Sequence, residues 1–301
     1  MSEQASGADR VKTVEVKKRR LRAALRQARI DAGMTQKAAA EALMWSISKI
    51  VRIEQGTVPV ASTDVLVMLR LYRITDESHI EDLIELAKDA REDKGLSVFA
   101  DVLSVATLEL FGNEPAAKVI YKYEPSVIPG LFQTQEYARA LLKALGNSEE
   151  QVESRLKVRA QRQRLLDSPV RPELNFIIGE TAICRPVGGV DVMEGQITHL
   201  LELATRDGIS VLLLPLAAGA HRGMGSAFTV LQFGDPLLPD LLYLENAEGE
   251  SVSRDETGEI RKYLGLFVEL AGLATKSGSF QDHTWRVLRE RYGIGHPNVD
   301  T

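Results

Sequence analysis

The chain has 301 residues, of which 44% are hydrophobic and 26% are charged, and it carries a formal net charge of −5. This length exceeds that of one small domain and leaves room for about one further domain of ordinary size. No apolar run approaches the ~20 residues that a membrane-spanning helix needs, and a single cysteine, Cys184, excludes an internal disulfide and a cysteine-rich zinc site. We therefore expect a cytoplasmic protein with no membrane partner, no cofactor and no metal, and residues 1–10 resemble no signal peptide.

The charges are unevenly distributed along the chain. Residues 10–60 contain 12 lysines and arginines against 4 acidic residues, a surplus of eight positive charges. To reach the total of −5, the other residues must carry an excess of 13 negative charges. A basic module on an acidic body is attracted to phosphate at one end only, so this pattern favours an N-terminal module that binds nucleic acid.

The N-terminal part is predicted to be a flexible arm followed by a basic helix. Residues 1–16 are polar and have too few apolar side chains to bury. A helix is predicted from Lys17, and four apolar residues that recur at helical spacing form its buried side: Leu21, Ala24, Leu25 and Ala28. A stripe of arginines recurs in the same way and would contact phosphates or form a solvated face: Arg19, Arg22, Arg26 and Arg29.

Residues 35–56 are typical of two short helices that meet at a tight corner. Thr35 is suited to cap the first helix and Ser46 the second, because a hydroxyl accepts a bond from an unpaired backbone N–H of the opening turn. Met44 lies in the predicted turn, where a left-handed conformation costs on the order of 1 kcal/mol. Gly56 is placed to end the second helix. In a helix-turn-helix, such a second helix lies in the major groove of DNA.

The order of residues in this stretch carries a family resemblance. Three motifs follow one another: Thr35-Gln36, Ala40-Glu41-x-Leu43 and Ser46-x-Ser48-x-Ile50-x-Arg52-Ile53-Glu54-x-Gly56. This order resembles the helix-turn-helix of the Cro/phage-repressor type, found in many bacterial regulators, and it implies sequence-specific DNA binding. The chain departs from the usual pattern at Met44, where the turn commonly has Gly, and after Gly56, where a basic residue is often found.

Eight side chains are predicted to contact double-stranded DNA: Gln36, Lys37, Ser46, Ile47, Ser48, Lys49, Arg52 and Arg22. The planar fork of Arg52 suits guanine and Ile47 suits a thymine methyl group, although an internal pair with Glu41 or near Glu54 is the alternative for Arg52. Gln36 would bind a phosphate beside the free N–H groups at the positive end of its helix.

Residues 17–95 are predicted to form an all-α helix-turn-helix bundle of five helices, and residues 96–116 a connecting helix. We expect a homodimer, because one unit contacts too few base pairs for selective binding and paired half-sites match a two-fold protein. The connecting helix could supply the dimer seam or pack on its own second domain through four apolar positions: Val98, Val102, Val105 and Leu108. The second domain could equally hold the dimer together.

Residues 117–292 are predicted to form an α/β domain, because strand-like and helix-like patterns alternate there. Strands are predicted at residues 118–123, 174–178, 209–214, 228–233 and 241–244. Helices are predicted at residues 133–145, 148–166, 193–204, 260–271 and 285–292. The predicted fold class is therefore mixed, an all-α bundle followed by an α/β domain, with a tail at residues 293–301.

Motifs within this domain carry a second resemblance. They are residues 123–134 with 137–141, residues 180–189 with Met193 and 196–201, and Pro215 with 218–225 and Phe228. Their succession is similar to that of the WhiJ-like, antitoxin-like regulators, in which a Cro-type helix-turn-helix is joined to a C-terminal domain of poorly defined role. The resemblance implies a transcription regulator that acts with a small partner protein encoded nearby, as an antitoxin acts with its toxin.

Three roles stay open for the second domain: a docking surface for a small protein, a receptor for a small molecule, or an enzyme. An exposed apolar groove would favour docking, and an enclosed cavity with a few inward polar groups would favour a receptor. For an enzyme, Cys184 with His199 or His221 would supply a nucleophile and a base, but the apolar, strand-like context of Cys184 is typical of a buried cysteine. The loop at residues 219–225 lacks the following helix of a phosphate-binding loop. No catalytic residue is predicted.

Overall fold

The computed structural model describes residues 13–56, 58–92, 95–235, 238–246, 249–253, 258–275 and 277–293. Two compact units make up the chain: residues 1–98 with 234–239, and residues 99–233 with 240–301. Most of the predicted arm, residues 1–12, and most of the predicted tail, residues 294–301, lie outside the described residues.

The described part of the first unit contains five α-helices, as predicted: α1 (Val14–Asp31), α2 (Gln36–Leu43), α3 (Ile47–Gln55), α4 (Ser62–Leu71) and α5 (Glu77–Glu92). α1 begins before the predicted Lys17, because the Thr13 hydroxyl accepts a bond from the Val16 N–H at 3.3 Å and Val16 is buried. The helices enclose one core, which includes Leu21, Leu25, Ile50, Ile53, Val65, Met68, Leu69 and Ile80.

Two arginines of the predicted basic stripe on α1 are buried. Arg19 is 3% exposed and Arg29 is 8% exposed, so neither forms a solvated face. A buried guanidinium needs a compensating partner, and Arg29 has one in Glu54 of α3. Helical spacing could not predict this pair, because the partner lies 25 residues away on another helix.

The second unit is built on a six-stranded mixed sheet: β1 (Val119–Glu124), β2 (Glu173–Gly179), β3 (Ile209–Leu214), β4 (Ala227–Gln232), β5 (Leu241–Asn246) and β6 (Gly249–Ser253). The strand order is β3-β2-β1-β4-β5-β6. The pairs among β1, β2 and β3 are parallel, and the pairs from β1 to β4 and onward to β6 are antiparallel. The predicted mixed fold is confirmed. The sequence pattern does not predict β6, because this edge strand is polar and largely exposed.

Seven α-helices accompany the sheet within the described residues: α6 (Val105–Asn113), α7 (Gln135–Ala144), α8 (Glu149–Gln163), α9 (Glu180–Cys184), α10 (Val190–Leu203), α11 (Glu259–Leu273) and α12 (Ser277–Tyr292). α11 packs on the sheet through Ile260, Phe267 and Leu270, which share a core with Tyr123 and Phe228. Cys184 ends a short helix rather than lying in a strand. No helix of the described residues is long and apolar enough to cross a membrane.

Residues 96–116 are predicted to form one connecting helix, but the structure divides this segment into separate short helices. A 3-10 helix at Gly95–Phe99 precedes α6. α6 starts afresh because the Ser104 hydroxyl caps it, accepting a bond from the Thr107 N–H at 3.0 Å. Val102 is 8% exposed and Val105 is 82% exposed, so the predicted apolar seam does not lie on one helix face.

Candidate functional site

The corner between α2 and α3 has the local geometry that the sequence predicts. The Thr35 hydroxyl accepts a bond from the Ala38 N–H at 3.1 Å, and the Ser46 hydroxyl accepts one from the Lys49 N–H at 3.2 Å. Met44 joins the helices in the left-handed conformation, with φ 54° and ψ 36°. Its side chain is 94% exposed. The end of α2 and the start of α3 therefore lie on either side of an exposed turn.

α3 presents one buried side and one exposed side. Ile50 and Ile53 are buried in the core of the first unit, whereas Ile47, Ser48 and Arg52 are exposed. Arg52 Nε donates to the backbone oxygen of Ser48 at 3.1 Å, one turn earlier. This contact holds the guanidinium along the exposed side of α3. The arrangement presents a short hydroxyl, an aliphatic group and a planar cation together, which are side chains suited to base edges in a major groove.

Lys49 is held differently from Arg52. Its Nζ lies 3.0 Å from Oδ2 of Asp64 on α4 and 3.5 Å from the centroid of the Trp45 ring. The side chain is 34% exposed. The predicted base contact of Lys49 therefore requires the ammonium group to exchange Asp64 for DNA, and sequence spacing gave no signal of that ion pair.

The first turn of α2 contains both predicted phosphate ligands of that helix. Gln36 Nε2 donates to Oε2 of Glu54 at 2.8 Å. An amide NH₂ has two donor hydrogens, so one is left to meet a phosphate. Lys37 is 77% exposed and lies 3.9 Å from Oε1 of Glu41, a distance typical of a weak surface pair.

Arg22 closes the C-terminal end of α3. Its Nη1 donates to the backbone oxygen of Gln55 at 3.0 Å. Gly56 lies directly beneath this side chain, because a Cβ atom there would be 1.8 Å from Arg22 Nη1. Gly56 also has φ 72°, a left-handed conformation that favours glycine, and a larger residue there would displace the Arg22 side chain. A cation at the negative end of a helix is favourable, which gives Arg22 a structural task beside its predicted phosphate contact.

The second unit contains a cavity of about 580 Å³ lined by residues of α6, β1, α8 and β5, and by the loop after β1. Apolar and charged side chains both line it, and the charged ones include Lys122, Glu124, Arg155, Arg159, Arg162 and Glu245. The three arginines were not identified from the sequence, although they recur at helical spacing on α8, at positions 155, 159 and 162.

Models of two known families match the chain, one in its N-terminal part and one in its C-terminal part. A model described as a helix-turn-helix domain matches residues 20–83. A model described as Domain of unknown function (DUF5753) matches residues 108–281, more than half of the chain. The chain belongs to the DUF5753 family. No curated protein and no solved structure is significantly similar to it. With its helix-turn-helix domain, this DUF5753 protein is a DNA-binding regulator.

The three side chains considered for catalysis in the DUF5753 domain are Cys184, His199 and His221, and they have different surroundings. Burial and the nearby Glu180 raise the pKa of the Cys184 thiol, which disfavours the nucleophilic thiolate. Burial lowers the pKa of His199. The ring of His221 lies edge-on to Tyr123, with 6.2 Å between centroids. None of these contacts joins the thiol to an imidazole.

Proposed function

We propose that this protein regulates transcription in the cytoplasm by binding a specific duplex DNA sequence through the exposed side of α3. Ile47, Ser48 and Arg52 would contact base edges, and Lys49 would join them after leaving Asp64. The observation that carries the proposal is the exposure of this polar side opposite the buried Ile50 and Ile53. Gln36 and Lys37 would bind a phosphate at the positive end of α2, with Arg22 as a further phosphate ligand.

The test is the affinity and selectivity of full-length protein for duplexes selected from a random pool. Arg52→Ala should cost about 1–3 kcal/mol and relax the preference at one base position. Arg70→Ala is the matched control, because Arg70 is exposed on α4 and pairs with Glu77 at 2.9 Å. An Arg52→Ala protein that weakens on every sequence by the same factor would contradict a base contact.

A two-fold homodimer belongs to this proposal. Two α3 helices ~34 Å apart would contact adjacent major grooves and multiply the discrimination of one unit. Light scattering of the full chain with and without a palindromic duplex tests it. A monomer that protects one unrepeated half-site in footprinting would contradict the dimer.

For the DUF5753 domain, the cavity supports a small-molecule receptor that shifts DNA binding. Such a receptor has no catalytic role, and the raised pKa of the Cys184 thiol supports that view. The WhiJ-like resemblance supports docking of a small partner protein encoded nearby, which stays a prediction. Copurification with the product of the neighbouring small reading frame tests docking, and the change of DNA affinity on ligand addition tests the receptor.

A further inference from the structure

Three arginines of α8 converge on one side of the cavity. Arg155, Arg159 and Arg162 all line it. A Cβ atom on Gly130 would lie 3.1 Å from Arg162 Nη1 and 3.9 Å from both Nε and Nη2 of Arg159. The guanidinium groups of Arg159 and Arg162 therefore both lie close to one glycine.

The three arginines differ in their hydrogen-bond partners and in whether a carboxylate balances their charge. Arg162 makes two bonds to the Glu114 carboxylate, at 2.5 and 2.6 Å, and its Cζ lies 3.9 Å from the centroid of the Phe111 ring. Arg159 instead donates to the side-chain oxygen of Gln133, which is neutral. Arg155 Nε is buried without a hydrogen-bond partner among the described residues. Among the described residues, Glu114 is the only acidic residue that forms an ion pair with any of these three arginines.

The side chain of Gln133 is fixed so that its oxygen faces Arg159. It is 3% exposed, and its Nε2 donates to the backbone oxygen of Ile128 at 2.6 Å. Burial lowers the pKa of Arg159 to about 10, and the charges of Arg162 and Arg155 add to this effect. Folding thus places a cation where its charge is disfavoured, and no acidic residue of the described chain pairs with it.

The rest of the cavity has the composition of a small-molecule site. Its volume lies within the range of roughly 300–1,000 Å³ that such sites have. Leu110, Leu142 and Val158 give it apolar surface. On another part of its wall, Lys122 Nζ and Glu124 Oε2 pair at 3.4 Å. The apolar part of a ligand would contact Leu110, Leu142 and Val158, and a polar substituent would contact Lys122 or Glu124.

We infer that Arg155 and Arg159 bind the anionic group of a small organic ligand, a carboxylate or a phosphate monoester attached to an apolar body. The planar fork of arginine matches both anions with two parallel hydrogen bonds. The anion of the ligand supplies the counter-charge that Arg159 lacks among the described residues. In the unliganded protein, the hydrogen bond to Gln133 holds Arg159 in place. This inference rests on the proposed receptor function and gives its ligand class.

Calorimetric titration and thermal unfolding of full-length protein test the inference with three probes: phenyl phosphate, benzoate and neutral benzyl alcohol. At least one anion should bind saturably and raise the unfolding temperature, while the alcohol does not. Arg159→Gln and Arg155→Gln should each weaken that anion by at least about tenfold, because each removes charge-assisted hydrogen bonds. Arg159→Lys keeps the charge but loses the fork and should be intermediate. Arg164→Gln, just after α8 and exposed, should stay within about twofold of wild type.

Binding of neither anion, or equal binding by wild type and Arg159→Gln, would overturn the site. The unfolding temperature of unliganded Arg159→Gln should equal or exceed that of wild type, and a clear fall would mark Arg159 as structural instead. DNA affinity is measured separately with and without saturating anion. An anion that binds without changing DNA affinity keeps the site and rejects the receptor function, whereas loss of the site leaves DNA binding untouched.

Discussion

Arg29 and Glu54 form a buried, two-bond ion pair that joins α1 to α3. Arg29 Nε lies 2.6 Å from Oε1 and Nη2 lies 2.9 Å from Oε2, and the side chains are 10% and 3% exposed. Gln36 donates to the same carboxylate, and Arg29 Nη1 donates to the Met34 oxygen at 2.7 Å. The hydrogen bond to Glu54 raises the pKa of Arg29. One carboxylate therefore joins three helices, α1, α2 and α3, and fixes the orientation of the exposed side of α3.

Glu54→Gln should lower the free energy of unfolding of the first unit by about 3–5 kcal/mol, because it leaves the Arg29 charge buried without a counter-charge. Urea unfolding followed by Trp45 fluorescence, in a Trp285→Phe background, measures it. Glu41→Gln is the control and should change little, by at most about 0.5 kcal/mol, because its pair with Lys37 is exposed. Equal effects of the two changes would contradict a stabilising role for the buried pair.

Tyr72→Phe should stabilise the first unit by about 1 kcal/mol at neutral pH, because the Tyr72 hydroxyl is buried without a hydrogen-bond partner in the described chain. Burial is the main cause that raises its pKa to about 12, with Glu54 adding to it. The folded state thus keeps this proton above pH 10, where the unfolded chain loses it. The contribution of the protonated Tyr72 to the free energy of unfolding is fully present below pH 10 and is lost as the pH rises from 10 towards 12. Tyr72→Phe should remove that part of the fall, and identical alkaline profiles would contradict this assignment.

Lys37→Ala should reduce the slope of log affinity for DNA against log salt by about one unit, since it removes one cation from a phosphate. Gln36→Ala should weaken binding without changing the slope, because the lost group is neutral. Titrations at four salt concentrations measure both. Lys157→Ala, in the DUF5753 domain, provides the control. An unchanged affinity in both Lys37→Ala and Gln36→Ala would place the start of α2 away from DNA.

Met44→Gly should stabilise the first unit by about 1 kcal/mol, because glycine tolerates the left-handed conformation that Met44 adopts. The Met44 side chain is 94% exposed, so little packing is lost. Thermal unfolding measures the gain, and Met44→Ala should show none. A destabilised glycine variant would mean that the methionine side chain contributes more than its conformation costs.

Local signals predicted much of this fold. The hydroxyls of Thr35 and Ser46 cap the helices that they precede, and Ile50 and Ile53 are buried as their spacing requires. The strand at residues 209–214 matches β3 in full. These features depend on neighbours within a few residues.

What the sequence could not predict depends on contacts between distant residues. The Asp64 that holds Lys49 and the Gln133 that faces Arg159 come close only after folding. Spacing on α1 identified a row of arginines but not which of them is buried. The cavity arginines likewise lie near Gly130 and Glu114, which are on other segments of the chain and come close only after folding.

The position of β1 in the sheet has a consequence for synthesis on the ribosome. Val119 of β1 pairs with Glu173 of β2 on one side and with Gln232 of β4 on the other. One edge of β1 therefore stays unpaired until β4 has been synthesised. At ordinary translation rates that delay is about 5–20 s. The core of the first unit draws on residues 21–87 and needs no such wait. During that interval the edge of β1 that will pair with β4 stays unpaired, and such an edge is able to pair with another chain.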